Sequence, residues 1–319
     1  MMEIMKLIPS GKDYLWGGTR LKDEYGKRID MNPLAESWEC SVHPDGPCYV
    51  ANGKYKGKTL KEVLDEHPEY IGTKANGEFP ILAKFIDAKK DLSVQVHPDD
   101  EYAREKEKDN GKTEMWYIID ADEGASLIYG FKHKVSKEIL ERAIEKGELD
   151  KHLQKVEVHK GDLFFVPAGT VHGIGKGILL AEVQESSNVT YRVYDYDRVD
   201  KNGKKRELHF DKAVQVMDMG IAPDIKQKKR LVKYYPGCSR ELLCRCKYFE
   251  TERIQVTKGF SFSVMENSFQ VLMCLDGYGQ VEVDGDKPVR FSKGETVFLP
   301  AGIGRCLIIG DTSVLKIRC

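Results

Sequence analysis

Three short segments of this chain carry side chains that can hold a metal ion. Leu92-Ser-Val-Gln95-Val-His97-Pro-Asp99 sets an amide and an imidazole two residues apart. Lys112-Thr-Glu114 adds a carboxylate, and Pro167-Ala-Gly-Thr-Val-His172 ends on a second imidazole. Side chains alternate along a β-strand, so Gln95 and His97 share one face while Val94 and Val96 share the other, and the polar pair must point inward together. Two imidazoles, one carboxylate and one amide oxygen form a nitrogen and oxygen donor set that suits zinc and is tolerated by manganese, iron or cobalt. Taken singly, each residue reads as an ordinary hydrogen-bonded core or rim position; the chemistry rests on the set. The eight cysteines offer nothing comparable. No two are separated by the two-residue gap of a zinc knuckle or redox motif, and Cys40 with His43 is a lone pair. Cys244 and Cys246 share a strand face and read as core filling in a reducing compartment.

The elements that must position these residues are mostly strands. Strand-like runs appear at Ile81 to Ile86, Leu92 to Val96, Met115 to Ile119, Ser126 to Tyr129, Leu163 to Val166, Ile178 to Gln184 and Thr190 to Tyr194. Many short strands with turns between them predict an antiparallel sandwich or closed barrel. An internal repeat sets the architecture. Lys160-Gly-Asp-Leu-Phe-Phe-Val-Pro-Ala-Gly-Thr-Val-His172 lines up with Lys293-Gly-Glu-Thr-Val-Phe-Leu-Pro-Ala-Gly-Ile-Gly-Arg305, identical at six of 13 positions at an offset of 133 residues. In both copies a turn delivers the first side chain of the next strand inward, His172 in one and Arg305 in the other. Upstream, Glu114 corresponds to Gln270. Two of the four metal-binding side chains are therefore lost together in copy two, as expected for a metal-free relic.

The reading is mainly β, with two repeated antiparallel barrels or sandwiches and a small helical insert in the first. Residues 1–76 form an N-terminal segment that packs on the barrels, with a helix at Thr59 to Glu66 closed by a Thr59 and Glu62 capping box. Residues 77–200 form the metal-binding domain. Its insert at about 135–154 comprises helical patterns at Ser136 to Lys146 and Glu148 to Gln154, and accounts for 23 residues that copy two lacks. His133, His152 and His159 lie in or beside it as bystanders. Residues 201–235, rich in Lys and Arg, read as a linker, and 236–319 as the second, metal-free domain.

The 319 residues, 41% of them hydrophobic, can bury a substantial core. A net charge of -1 gives no global field for nucleic acid or an anionic membrane. No apolar run approaches a membrane span, and the start shows no secretory signal, so a cytoplasmic location is expected.

The Gly-x5-Pro-x-Gly-x2-His turn, with Gln-x-His and a glutamate, resembles the cupin metal-binding jelly roll. More narrowly, Leu92 to Asp99, Lys112-Thr-Glu114, Ser186-Ser-Asn-Val-Thr-Tyr-Arg-Val-Tyr-Asp-Tyr-Asp-Arg198, Tyr14-Leu-Trp-Gly-Gly-Thr-Arg20 and Leu34-Ala-Glu-Ser-Trp-Glu39 resemble type I mannose-6-phosphate isomerases in their short bacterial form, from about residue 7 onward. The resemblance implies an aldose-ketose isomerase with one Zn2+ per chain, interconverting mannose 6-phosphate and fructose 6-phosphate through an enediol. It implies Gln95, His97, Glu114 and His172 as ligands, Arg192 as the essential arginine, and Lys84, Ser93, Lys112 and Glu182 around the pocket. Lys84 and Ser93 are expected on the substrate, and Lys112 or Glu182 as the acid-base group. The partner is then a small sugar phosphate, with the protein a monomer or weak homodimer. Two other classes use a similar pocket: an iron or manganese cupin oxygenase, and a non-catalytic sugar-phosphate sensor.

Overall fold

The computed structural model describes residues 2–75, 77–199, 203–283, 285 and 287–319. The domain edges expected at 1, 76 and 200 and the first two linker residues, 201 and 202, lie outside them. The chain divides into two units, each with its own hydrophobic core. One comprises Met1–Lys12, Thr19–Phe85 and Lys228–Cys319, and the other Asp13–Gly18 and Ile86–Gln227.

In the unit that carries the predicted metal-binding residues, a five-stranded antiparallel sheet runs in the order Tyr191–Tyr194, Val94–Val96, His172–Ile174, Ser126–Phe131, Leu153–Glu157. Val94 and Val96 enter a cluster with Phe131, Leu140, Leu153, Val171 and Val193, so the apolar face of the Gln-x-His strand is committed to the core and its polar face turned away from it. A second ladder of the same unit joins Leu163–Val166, Glu114–Ala121 and Ile178–Glu185. The insert forms helix Lys137–Glu145, whose N-cap Ser136 accepts from Ile139 N and whose Leu140 and Ala143 are buried. The helical pattern expected over Glu148 to Gln154 is instead a single 3-10 turn at Leu149–Lys151 followed by strand Leu153–Glu157. The Ser126–Phe131 strand offers that segment a ladder partner, and pairing overrides local propensity.

The expected linker, 201–235, carries helix Phe210–Val216 and strand Val232–Tyr235. Phe210, Ala213, Val214 and Met217 fall at helical spacing and pack on the same core as Val94 and Val96.

In the other unit a ten-stranded antiparallel sheet has the main path Val232–Tyr235, Cys238–Arg245, Glu250–Val256, Gly304–Arg318, Gln270–Val283, Thr296–Leu299, Met5–Ile8, Tyr49–Val50. The N-terminal helix Leu60–Glu66 is closed as the sequence predicts: Thr59 Oγ1 accepts from Glu62 N at 3.1 Å, and Glu62 Oε2 accepts from Thr59 N at 2.7 Å. Among the described residues the strand ladders run as open paths, so the protein is mainly β but its sheets are not closed. No described helix is long and apolar enough to cross a membrane.

The repeat is visible in strand register. Glu114, Met115, Trp116 and Tyr117 pair with Val166, Phe165, Phe164 and Leu163, while Gln270, Val271, Leu272 and Met273 pair with Leu299, Phe298, Val297 and Thr296. Each partner in the second ladder lies 133 residues beyond its counterpart. The turn glycines match as well, Gly161 with Gly294 (φ 90° and 84°) and Gly169 with Gly302 (φ 85° and 81°), all in the left-handed region that a Cβ disfavours.

Candidate metal centre

Strand register brings the predicted side chains together. Gln95 pairs directly with His172 on one side and with Arg192 on the other, in the five-stranded sheet. Glu114 arrives from the second ladder, between Val166 and Gln184. His97, Glu114 and His172 each offer one donor atom, and those atoms all lie within 4.8 Å of one another; among the described residues this is the one such group of three or more. All three are essentially sealed from solvent, at 1% exposure or less.

The main chain sets the tautomer of both imidazoles. His97 Nδ1 lies 2.8 Å from the carbonyl of Val189, and His172 Nδ1 lies 2.8 Å from that of Thr170. A carbonyl only accepts, so each Nδ1 carries a proton, and a ring so tied presents the Nε2 lone pair whenever it is neutral. Those lone pairs face the carboxylate, His97 Nε2 at 3.7 Å from Glu114 Oε2 and His172 Nε2 at 3.3 Å from Oε1. Burial pushes the His172 pKa down to about 4, which keeps the ring neutral near pH 7. This is the ligand form that a divalent ion requires, and a carboxylate beside two such rings fits a metal ion. Gln95 stands 3.3 Å from His172 Nε2 through its amide nitrogen, with Ser93 Oγ 3.5 Å from its oxygen; a half-turn of the amide exchanges the two ends.

Lys112 occupies the same place. Its Nζ is 3.1 Å from Glu114 Oε2 and 3.1 Å from His97 Nε2, and the residue is 5% exposed. Glu182, also buried, accepts from Trp116 Nε1 at 3.1 Å, and the Trp116 ring meets His172 edge-on at 5.3 Å. Arg192 donates from Nη1 to the carbonyl of Glu207 at 2.8 Å; its Nε is buried with no hydrogen-bond partner among the described residues. Burial, with Arg206 nearby, pulls its pKa below the usual value. Lys84 belongs to the other unit, where Nζ is 3.7 Å from Glu36 Oε2 and 5.0 Å from the centre of the Trp38 ring.

Two further features correct or extend the sequence reading. Arg305 does not point inward: it is exposed and donates from Nε to Ser261 Oγ at 3.1 Å, because an unpaired guanidinium keeps its hydration where a neutral imidazole does not need it. Behind the site Glu185 accepts from Thr113 N at 2.6 Å, holding the residue between Lys112 and Glu114. Burial raises its pKa to about 7, against the opposing effect of that hydrogen bond.

Residues 4–132 match the family model described as phosphomannose isomerase type I, catalytic domain, and residues 240–318 match the mannose-6-phosphate isomerase cupin domain. His172, Glu182 and Arg192 fall between the two matched spans. The mannose-6-phosphate isomerase ManA of Bacillus subtilis is 40% identical over 95% of this chain and 94% of its own length. The Streptococcus mutans mannose-6-phosphate isomerase is 40% identical over 94% and 93%. A crystal structure of the Bacillus subtilis enzyme superimposes with a TM-score of 0.89 at 37% identity, covering 99% of both chains. With this similarity running along nearly the whole chain, and with a catalytic and a cupin model each matched, the protein belongs to the type I phosphomannose isomerase family.

Proposed function

We propose that the protein is a zinc-dependent mannose-6-phosphate isomerase that interconverts mannose 6-phosphate and fructose 6-phosphate through an enediol. The observation that carries this reading is the buried convergence of two Nε2 lone pairs, a carboxylate and an ammonium in a chain of this family. Gln95, His97, Glu114 and His172 would hold one Zn2+ per chain. Bound there, zinc would polarise the sugar oxygens and offset negative charge at the carbonyl, without redox side reactions.

The chain's own groups do the rest. The isomerisation shifts a proton between C1 and C2, so one group must remove it and return it. Lys112 and Glu182 are the two buried candidates, and Lys112 stands closest to the place where the ion would sit, with Nζ 3.1 Å from both Glu114 Oε2 and His97 Nε2. Arg192 would donate from its buried Nε to the enediolate oxygen or the phosphate. Ser93 would bind the substrate. The two repeats are read as cupin-type jelly rolls, with the metal-binding residues within 77–200 and with 236–319 lacking metal because Gln270 and Arg305 replace two ligands. The protein is taken as a cytoplasmic monomer or weak homodimer.

Metal analysis together with a coupled fructose 6-phosphate assay tests the reading against the two other classes. Zinc with isomerase turnover supports it. Oxygen consumption with bound iron or manganese would replace it by an oxygenase, and sugar-phosphate binding without turnover by a sensor.

A further inference from the structure

The motif Tyr191-Arg-Val-Tyr-Asp195-Tyr-Asp-Arg198 contributes Arg192 to the site, and its remaining residues are built around a buried carboxylate. Asp195 is 4% exposed and takes two guanidiniums: Arg206 from Nε at 2.8 Å and Nη2 at 2.5 Å, and Arg198 from Nη2. Tyr196 and Asp197 adopt φ of 55° and 54°, a left-handed conformation that non-glycine residues rarely take, and this turns the chain so that Arg198 returns to Asp195. Arg198 also stacks on Tyr196 at 5.2 Å and donates to the carbonyl of Asp91. Val199 and Lys205, the residue before Arg206, form an antiparallel bridge.

The residues just after Arg206 grip Arg192. The Arg192 Nη1 donates to the carbonyl of Glu207 at 2.8 Å, its main-chain N–H to His209 Nδ1 at 3.2 Å, and its carbonyl accepts from His209 N at 2.8 Å. Three hydrogen bonds thus come from two residues of one short segment, and the forked ion pair to Asp195 fixes that segment's start. The aim of the Arg192 fork depends on it, since a planar guanidinium with one end tied to a carbonyl has its remaining donors set in direction. We propose that Asp195 and Arg206 are positioning residues that act on the reaction through Arg192, by fixing the 206–209 main chain that holds its guanidinium. The inference rests on the role proposed for Arg192 and assigns neither residue to the substrate.

The test is three single variants and a double-mutant cycle, on the zinc-loaded protein. Arg206→Met and Asp195→Asn should each lower kcat tenfold or more, with zinc content and KM for mannose 6-phosphate within twofold of wild type. Arg206→Lys, which keeps charge but not the fork, should fall between. In an Arg192→Lys background, Arg206→Met should cost less than threefold further, because the group it serves is already gone. Nitrogen-15 NMR of the guanidiniums should show faster exchange at Arg192 in Arg206→Met, a readout that needs no turnover. Wild-type kcat with only a lowered Tm, a full tenfold loss repeated in the Arg192→Lys background, or an unchanged Arg192 signal would overturn the inference. An Arg192→Lys enzyme that keeps wild-type kcat would instead sink the role assigned to Arg192.

Discussion

Replacing Glu114 by glutamine in protein kept metal-free by a chelator isolates how the site is held together before any ion binds. Glu114 is wholly buried and His172 is neutral near pH 7, so the charge facing the carboxylate is the Lys112 ammonium at 3.1 Å. At that distance an effective dielectric of about 20 gives an attraction of roughly 5 kcal/mol. Removing one member of a buried pair typically costs about 3–5 kcal/mol, because the other charge is left without compensation. Lys112 retains an acceptor in His97 Nε2, which puts the expected loss at the lower end, about 3 kcal/mol. Adding Lys112→Met removes the stranded charge, so the double variant should return to within about 1 kcal/mol of wild type. Urea unfolding followed by tryptophan fluorescence, with unchanged m values, measures both. A Glu114→Gln variant that loses under about 1 kcal/mol, or a double variant no more stable than the single one, would refute the account of the pair.

Metal analysis should find about one zinc per chain, abolished by His172→Ala, with far-ultraviolet circular dichroism preserved after chelation because the strand core is apolar; a stoichiometry near two that survives His172→Ala defeats this. Arg192→Lys should lower kcat by roughly 100-fold or more with a smaller change in KM, since lysine keeps the charge but loses the fork; wild-type kcat would remove Arg192 from the chemistry. Glu185 has its pKa raised from 4.5 to about 7, so the folded state binds its proton more tightly. The resulting stability is fully present below pH 4.5 and lost as pH rises through about 7, a decline on the order of 1–3 kcal/mol. Glu185→Gln should flatten that part of the urea midpoint against pH curve, and parallel curves for the two proteins would contradict it.

The site was legible where chemistry and periodicity coincide. Gln95 and His97 announce themselves by alternating with two valines that enter the core, and the repeat singled out Glu114 and His172 by their loss in copy two. What holds these residues was not legible, because it is main chain. The carbonyls of Val189 and Thr170 choose the imidazole tautomers, and the carbonyl of Glu207 takes Arg192. Every residue has a carbonyl, so composition and spacing cannot single one out. The helix Phe210–Val216 escaped for a different reason: its apolar stripe is short and set among lysines and arginines that read as a solvated connection. Asp195 and Arg206, eleven positions apart, become partners through a left-handed turn that neither a tyrosine nor an aspartate advertises.

The matched ladders make the chain its own control experiment. Positions shared by both copies, Gly161 with Gly294, Pro167 with Pro300 and Gly169 with Gly302, have persisted on a half that retains Glu114 and His172 and on one that does not, so architecture alone accounts for them. Positions where the copies differ while the register is kept, Glu114 against Gln270 above all, are those the scaffold leaves to chemistry. A variant of this protein can be sorted on that basis before any assay: a change at a shared position should show itself as a folding defect, whereas Glu114→Gln combined with Lys112→Met, which leaves no stranded charge, should give a well-folded protein with impaired chemistry.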